Sequence, residues 1–207
     1  SEVYKRQWLE QAFNTKKYAF AADYIRLYAL YHHGGIYLDS DVEILKSLDN
    51  FLELPYFVGA ETSGTIEAAI LGAEKGCDWI KCCLDYYEGR NFIREDGSYD
   101  IRMLPEILNE TILRLKPVIN MPSGSNIDDL KKKDLGEAVY VLPKEYFSPK
   151  VFDSREVFLT PETHAIHHYQ NSWFSHKAFA YYRTRTLFIK IFGYKAVRSL
   201  EKMLLKR

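Results

Sequence analysis

The chain has 207 residues, 47% of them hydrophobic and 15% aromatic, enough for one α/β domain with a substantial core and too little for a second full domain. Its formal net charge is zero, which argues against a dedicated nucleic-acid binder, and it contains no signal-peptide pattern and no run of eighteen apolar residues that would span a membrane. The charge is unevenly placed: from His176 onward nine Lys or Arg stand against one acid, Glu201, and the remainder is correspondingly acidic.

In chain order, residues 2–14 read as an amphipathic helix with Val3, Trp8, Leu9 and Phe13 available for burial. A second helix begins at Tyr18, where Phe20, Tyr24, Leu27, Tyr28 and Tyr31 recur at three- and four-residue spacings. Asp23 and Arg26 share one face of this apolar, aromatic helix, where charges are normally paired or meet a ligand. Gly34 and Gly35 end it, and the short apolar run Ile36 to Leu38 suits a buried strand. That strand closes in Asp39-Ser40-Asp41. Alternation along an extended backbone places Tyr37, Asp39 and Asp41 on one face, so both carboxylates reach one object. Two close carboxylates repel, and a hard divalent cation, Mg²⁺ or Mn²⁺, removes the conflict. A helix packed antiparallel to the strand would bring Asp23 and Arg26 to the same ligand.

Further strands are expected at 42–45, 57–61, 66–71 and 138–142, with a turn or short helix at 48–52. Glu61, at a strand end, reads as a surface or structural acid that could touch an acceptor. Residues 78–87 form a helix whose buried face is Trp79, Ile80, Cys83, Leu84 and Tyr87, and 104–115 another, with Pro105 in its first turn. Cys77, Cys82 and Cys83 lack metal-ligand spacing and read as buried thiols, fitting a reducing, cytoplasmic compartment. Residues 90–99 read as a loop, 121–136 with Lys131-Lys132-Lys133 as a solvated loop, and 143–150 as an irregular connection. A strand ending in a polar turn is expected over 163–173, with neighbouring His167 and His168 on opposite faces, so that only one faces the metal. From 176 to 207 a helical tail carries an apolar stripe, Leu187, Ile191, Tyr194, Val197 and Leu204, with Lys190, Arg198 and Lys202 outside it. Such a helix suits an anionic membrane surface, and equally a packed helix with a solvated basic face.

The string A-A-D-Y-I-R-L-Y-A-L-Y-H-H-G-G-I-Y-L-D-S-D closely resembles the signature of a DXD sugar-transferase family, which includes bacterial capsular-polysaccharide glycosyltransferases, fungal mannosyltransferases and the catalytic domains of glucosylating toxins. The resemblance implies a GT-A-like α/β fold over residues 1–175, a mixed sheet flanked by helices, followed by the basic tail. In that family an upstream strand and loop supply much of the nucleotide-base pocket, and this sequence has no counterpart to them. The late cluster His167-His168-Tyr169-Gln170-Asn171-Ser172-Trp173 resembles the family's second motif, whose histidine completes the cation site. On that basis Asp41 and His168 are the expected direct ligands, with His167 second to His168, and Asp39 binds through water or holds ribose and sugar hydroxyls. Asp23, Arg26 and Tyr37 would orient the donor, while Ser172 and Trp173 would donate hydrogen bonds to its diphosphate. Asn109, near a helix start, is a candidate for sugar or acceptor contact. The implied activity is metal-dependent, retaining transfer of a sugar from a UDP- or GDP-sugar to a saccharide or lipid-linked acceptor, in surface-polysaccharide synthesis at the inner membrane face. A catalytically silent nucleotide-sugar or glycan binding module is the competing reading, and a metal-dependent nucleotide-sugar hydrolase a third.

Overall fold

The computed structural model describes residues 2–61, 64–151, 156–170, 176–193 and 196–197. Helix α1 spans Glu2–Asn14 and α2 Tyr18–His33, followed by strands β1 (Gly35–Leu38), β2 (Val42–Ile44), β3 (Tyr56–Ala60) and β4 (Ile66–Ala73). Helices α3 (Asp78–Asp85) and α4 (Leu104–Leu115), strand β5 (Val118–Asn120), helix α5 (Ile127–Lys131), strands β6 (Val139–Val141) and β7 (Ala165–His167), and helix α6 (His176–Phe192) complete the order.

Strand β4 is the axis. It pairs antiparallel with β1 on one side and β3 on the other, and all eight of its residues are buried. Burial on both faces explains its near-continuous apolar sequence. Ile66, Ala68, Leu71 and Ala73 join Tyr56 and Val58 in a core shared with Trp8, Leu27, Trp79, Ile107 and Ile112 of the first four helices. Ala69, Ile70 and Phe57 face the opposite way, into a second core with Phe51, Leu142, Phe147 and Ala165. Each large side chain so buried contributes about 1.5–3 kcal/mol, so these two cores, and not the exposed ion pairs, dominate stability. A parallel β5–β6 pair extends from β3 through reciprocal backbone bonds between Ala60, Leu142 and Val58. An antiparallel β2–β7 pair lies apart, with Val42 opposite His167.

Several sequence expectations need correction. Phe13 and Tyr28 are exposed, and α2 buries Ala21 and Leu30 in addition to Phe20, Tyr24 and Leu27. Residues 121–136 are not simply a loop, because Asn126 and Asp129 form a reciprocal capping box that starts α5. Strand β5 was not expected: its pairing with β6 is long-range and invisible to local periodicity.

Gly34 sets the geometry of everything that follows α2. Its φ is 69°, its N–H caps Leu30 O at 2.8 Å, and a Cβ would lie 2.7 Å from the backbone N of Lys75. Only glycine fits that turn without strain. Gly34→Ala is therefore expected to lower the unfolding free energy by about 2 kcal/mol or more, measured as a shift in urea midpoint at unchanged slope.

Candidate active site

Helix α2 lies against β1 and β4 and carries Arg26 into the interior. Its side chain is 7% exposed, and its guanidinium is ringed by oxygens. Nη1 donates to the backbone oxygen of Ala68 at 2.7 Å, and Nη2 pairs with Asp23 at 3.1 Å and with Asp39 at 3.2 Å. The Tyr37 ring lies under the same group at 4.6 Å, and the Tyr37 hydroxyl donates to Asp39 at 2.6 Å. The structure thus brings Asp23, Arg26, Tyr37 and Asp39 into one network. The guanidinium fork is occupied by protein oxygens, so Arg26 fixes Asp39 and does not reach outward as a clamp for a donor sugar.

The Asp39-Ser40-Asp41 segment is a turn and not a continued strand, since Val42 N–H bonds back to Asp39 O at 3.1 Å. Turning, not alternation, is what directs the two carboxylates together. Asp41 is held from the far end of the chain: its Oδ2 accepts from Gln170 N at 2.8 Å, and its carbonyl accepts from His168 N at 3.0 Å. Tyr169, with φ of 52°, bends the backbone so that Gln170 can make that bond.

The preference for His168 as metal ligand does not fit this geometry. Its Nε2 lies 2.8 Å from Glu43 and its Nδ1 3.3 Å from Lys150, on the outer face of the β2–β7 pair. His167, on the inner face, places Nε2 3.6 Å from Asp41 Oδ1. One atom from each of Asp39, Asp41 and His167 fall within 4.8 Å of one another. Strand alternation separates the two histidines, and the registry of Val42 with His167 decides which one faces the aspartates. Two carboxylates and an imidazole within that span are a donor set that fits Mg²⁺ or Mn²⁺, the nitrogen favouring Mn²⁺. Ser172 and Trp173 lie outside the described residues.

One participant was missed in the sequence. Glu67, in β4, bonds His167 Nδ1 at 3.1 Å. A lone carboxylate in an otherwise apolar strand was the available signal. Glu61 instead belongs to the hairpin between β3 and β4, bonded to Thr65. Asn109 donates to Pro105 O at 2.7 Å, within its own helix, while the start of that helix reaches the site through the Leu104 backbone, which bonds Asp23.

Burial raises the Asp23 pKa to about 7, against the opposing pull of Arg26. His167 is lowered by burial but raised more by its bond to Glu67 and by the charges of Glu67, Asp41 and Asp39, so its net shift is upward.

A family comparison covers the helix, glycine turn and aspartates just described. Residues 1–58 match the family described as a glycosyltransferase sugar-binding region containing a DXD motif. That stretch is similar to the sugar-binding region of DXD glycosyltransferases. The chain is 38% identical over 65 residues to glucan organizing enzyme 1 of Cryptococcus neoformans, covering 31% of this chain and 18% of that protein. It is 31% identical over 98 residues to an uncharacterized glycosyltransferase of Acanthamoeba polyphaga mimivirus, covering 47% and 39%. It is 40% identical over 55 residues to inositol phosphoceramide mannosyltransferase 3 of Schizosaccharomyces pombe, covering 27% and 15%. The matched part therefore spans well under half the length of each of these relatives. No solved structure matches the chain. The small sheets flanked by helices agree with a GT-A-like glycosyltransferase domain.

An acid whose folded pKa lies above its unfolded value favours the fold below the unfolded value and loses that contribution as pH rises through the folded one. Asp23 is such a group, between 3.8 and about 7. Asp23→Asn, which is always neutral, escapes that loss, so its unfolding free energy minus that of the unsubstituted chain, whatever its sign at pH 5, should rise by on the order of 1–3 kcal/mol from pH 5 to pH 8. Urea unfolding of both proteins across that range checks it; a constant difference would refute the assignment.

Proposed function

We propose that the protein is a metal-dependent, retaining glycosyltransferase that moves a sugar from a UDP- or GDP-sugar to a saccharide or lipid-linked saccharide, in capsular or surface-polysaccharide synthesis. The observation that carries this reading is the convergence of Asp39, Asp41 and His167 beside the Arg26 network. The relatives' names, a mannosyltransferase and a glucan organizing enzyme, support a hexose as the transferred group.

In this reading Asp41 and His167 would hold Mn²⁺ or Mg²⁺, with Asp39 beside them, and such an ion would supply positive charge against that building on the departing diphosphate. Arg26 and Tyr37 keep Asp39 in place, so the carboxylate does not have to reorganise as the donor enters. In this reading Asp23, on the helix side of that network, accepts donor-sugar hydroxyls. Each carboxylate around the site already has a fixed protein partner: Asp23 and Asp39 bind Arg26, and Asp41 binds the Gln170 amide. That engagement favours same-face attack through a short-lived oxocarbenium ion pair over a covalent glycosyl carboxylate.

Thermal-shift titration with UDP and GDP, each with Mn²⁺, Mg²⁺ or EDTA, tests the site. Ligand at a hundred times its dissociation constant should raise Tm by about 5–10 °C, with metal only, and Asp41→Ala should abolish both the shift and sugar transfer. Retained turnover in purified Asp41→Ala would sink the assignment.

Helix α6 bears on where the acceptor is met. Leu187, Phe188, Ile191 and Phe192 are all exposed, with Arg183 and Lys190 exposed along one border, and the helix contains no acid. Of the expected stripe, Leu187 and Ile191 are exposed and Val197 is buried, while Tyr194 and Leu204, with Arg198 and Lys202, lie outside the described residues. An exposed apolar face with a basic border fits an anionic membrane surface, which would place the protein peripherally on the cytoplasmic side. Among the described residues no helix is long and apolar enough to cross a membrane. The intact chain should sediment with phosphatidylglycerol vesicles at low salt and not with phosphatidylcholine vesicles, and Phe188→Glu combined with Ile191→Glu should weaken this at least tenfold. Equal binding by the doubly substituted chain would remove α6 from the contact.

A further inference from the structure

The interior of the fold contains one carboxylate whose surroundings are more elaborate than packing requires. Glu67 is 3% exposed, in a strand where every other residue is apolar or glycine. A carboxylate there is costly unless its oxygens are met by donors. Its Oε1 accepts from Ala69 N at 2.9 Å. Its Oε2 accepts from Ser148 Oγ at 2.7 Å, from His167 Nδ1 at 3.1 Å and from the Tyr169 hydroxyl at 3.3 Å.

These donors come from three separate parts of the chain: β4 itself, the connection after β6, and the end of β7. The Tyr169 ring also lies against the His167 imidazole, with centroids 4.0 Å apart, so one residue both abuts the ring and bonds the carboxylate that orients it. With both oxygens engaged and almost no exposure, Glu67 is poorly placed to attack a substrate. It is also not one of the three residues, Asp39, Asp41 and His167, whose ligand atoms converge. What it can do is fix His167.

We propose that Glu67 is the positioning residue of the cation site, holding His167 by its Nδ1–H so that Nε2 faces Asp39 and Asp41. The proposal rests on the reading of those three residues as a cation site. An imidazole has two nitrogens, and a carboxylate hydrogen-bonded to one selects the tautomer that leaves the other as a lone-pair donor. It also sets the ring plane and increases the basicity of the ligating nitrogen. Ser148 and Tyr169 extend the chain of contacts, keeping the carboxylate from rotating away. The resulting order is Ser148 and Tyr169, then Glu67, then His167, then the ion. Loss of such an outer partner lowers metal affinity about 10–100-fold in known sites.

The test is Mn²⁺ titration of the full chain by calorimetry, with pulsed EPR of bound Mn²⁺ to detect a directly bonded imidazole nitrogen. Glu67→Gln keeps the size and an acceptor toward Nδ1–H while removing the charge; Glu67→Leu removes both. Each variant's fold is checked by circular dichroism and metal-free unfolding. The unsubstituted chain should bind Mn²⁺ with a nitrogen signal. Glu67→Gln should bind about tenfold more weakly, and Glu67→Leu more weakly still with the nitrogen signal reduced. If Glu67→Leu does not fold, Glu67→Gln decides alone. A change of less than fivefold in folded Glu67→Gln overturns the positioning role while leaving the cation site standing. Absence of Mn²⁺ binding by the unsubstituted chain overturns the cation site, and the positioning role with it.

Discussion

Arg26 carries a positive charge into the interface between a helix and a sheet, where an uncompensated charge would cost several kcal/mol, and the surrounding groups are arranged around that fact. Asp23 precedes it by one helical turn, Asp39 arrives from the end of β1, and Ala68 of β4 turns a carbonyl toward it. The guanidinium therefore ties α2, the end of β1 and β4 together. It also supplies the countercharge that lets Asp39 sit close to Asp41. Removing either side of a buried pair of this kind typically costs about 3–5 kcal/mol, so the DXD turn and the stability of the α2–β4 interface are physically one problem.

The second half of the site depends on a different kind of constraint. Asp41 is fixed by backbone groups of residues 168 and 170, and His167 by a carboxylate on the central strand. The left-handed turn at Tyr169 is the local strain that makes the first of these bonds possible. Charges and hydrogen bonds hold the site together, while its placement follows from the two apolar cores on either side of β4.

Much of this was legible in the sequence because it is local. The helix from Tyr18, the paired glycines and the short strand before Asp39 each announce themselves within a few residues, and α4 was expected at its observed bounds. What was not legible depends on distant partners. Alternation could say that His167 and His168 face opposite ways, but only the registry with Val42 says which faces inward. The Arg26 fork read as available to a donor because its acceptors, Ala68 O in β4 and Asp39 in the turn after β1, lie far apart in the order of elements. Glu67 was passed over because a single acid in an apolar strand gives no hint of Ser148, His167 and Tyr169, which lie about eighty to a hundred positions away in sequence.

The pairing of Val42 with His167 has a consequence in time as well as in space. During synthesis, both aspartates, Arg26 and the whole of β4 are made long before β7. A growing chain that has reached Phe147 already has its carboxylates but neither imidazole nor the amide that secures Asp41. Closing so long a loop carries only a modest additional entropic cost, yet it cannot happen until the late strand exists. The proposed cation site would thus be completed late, when the three-residue β2–β7 ladder forms, because His167 and the Gln170 amide are made after both aspartates.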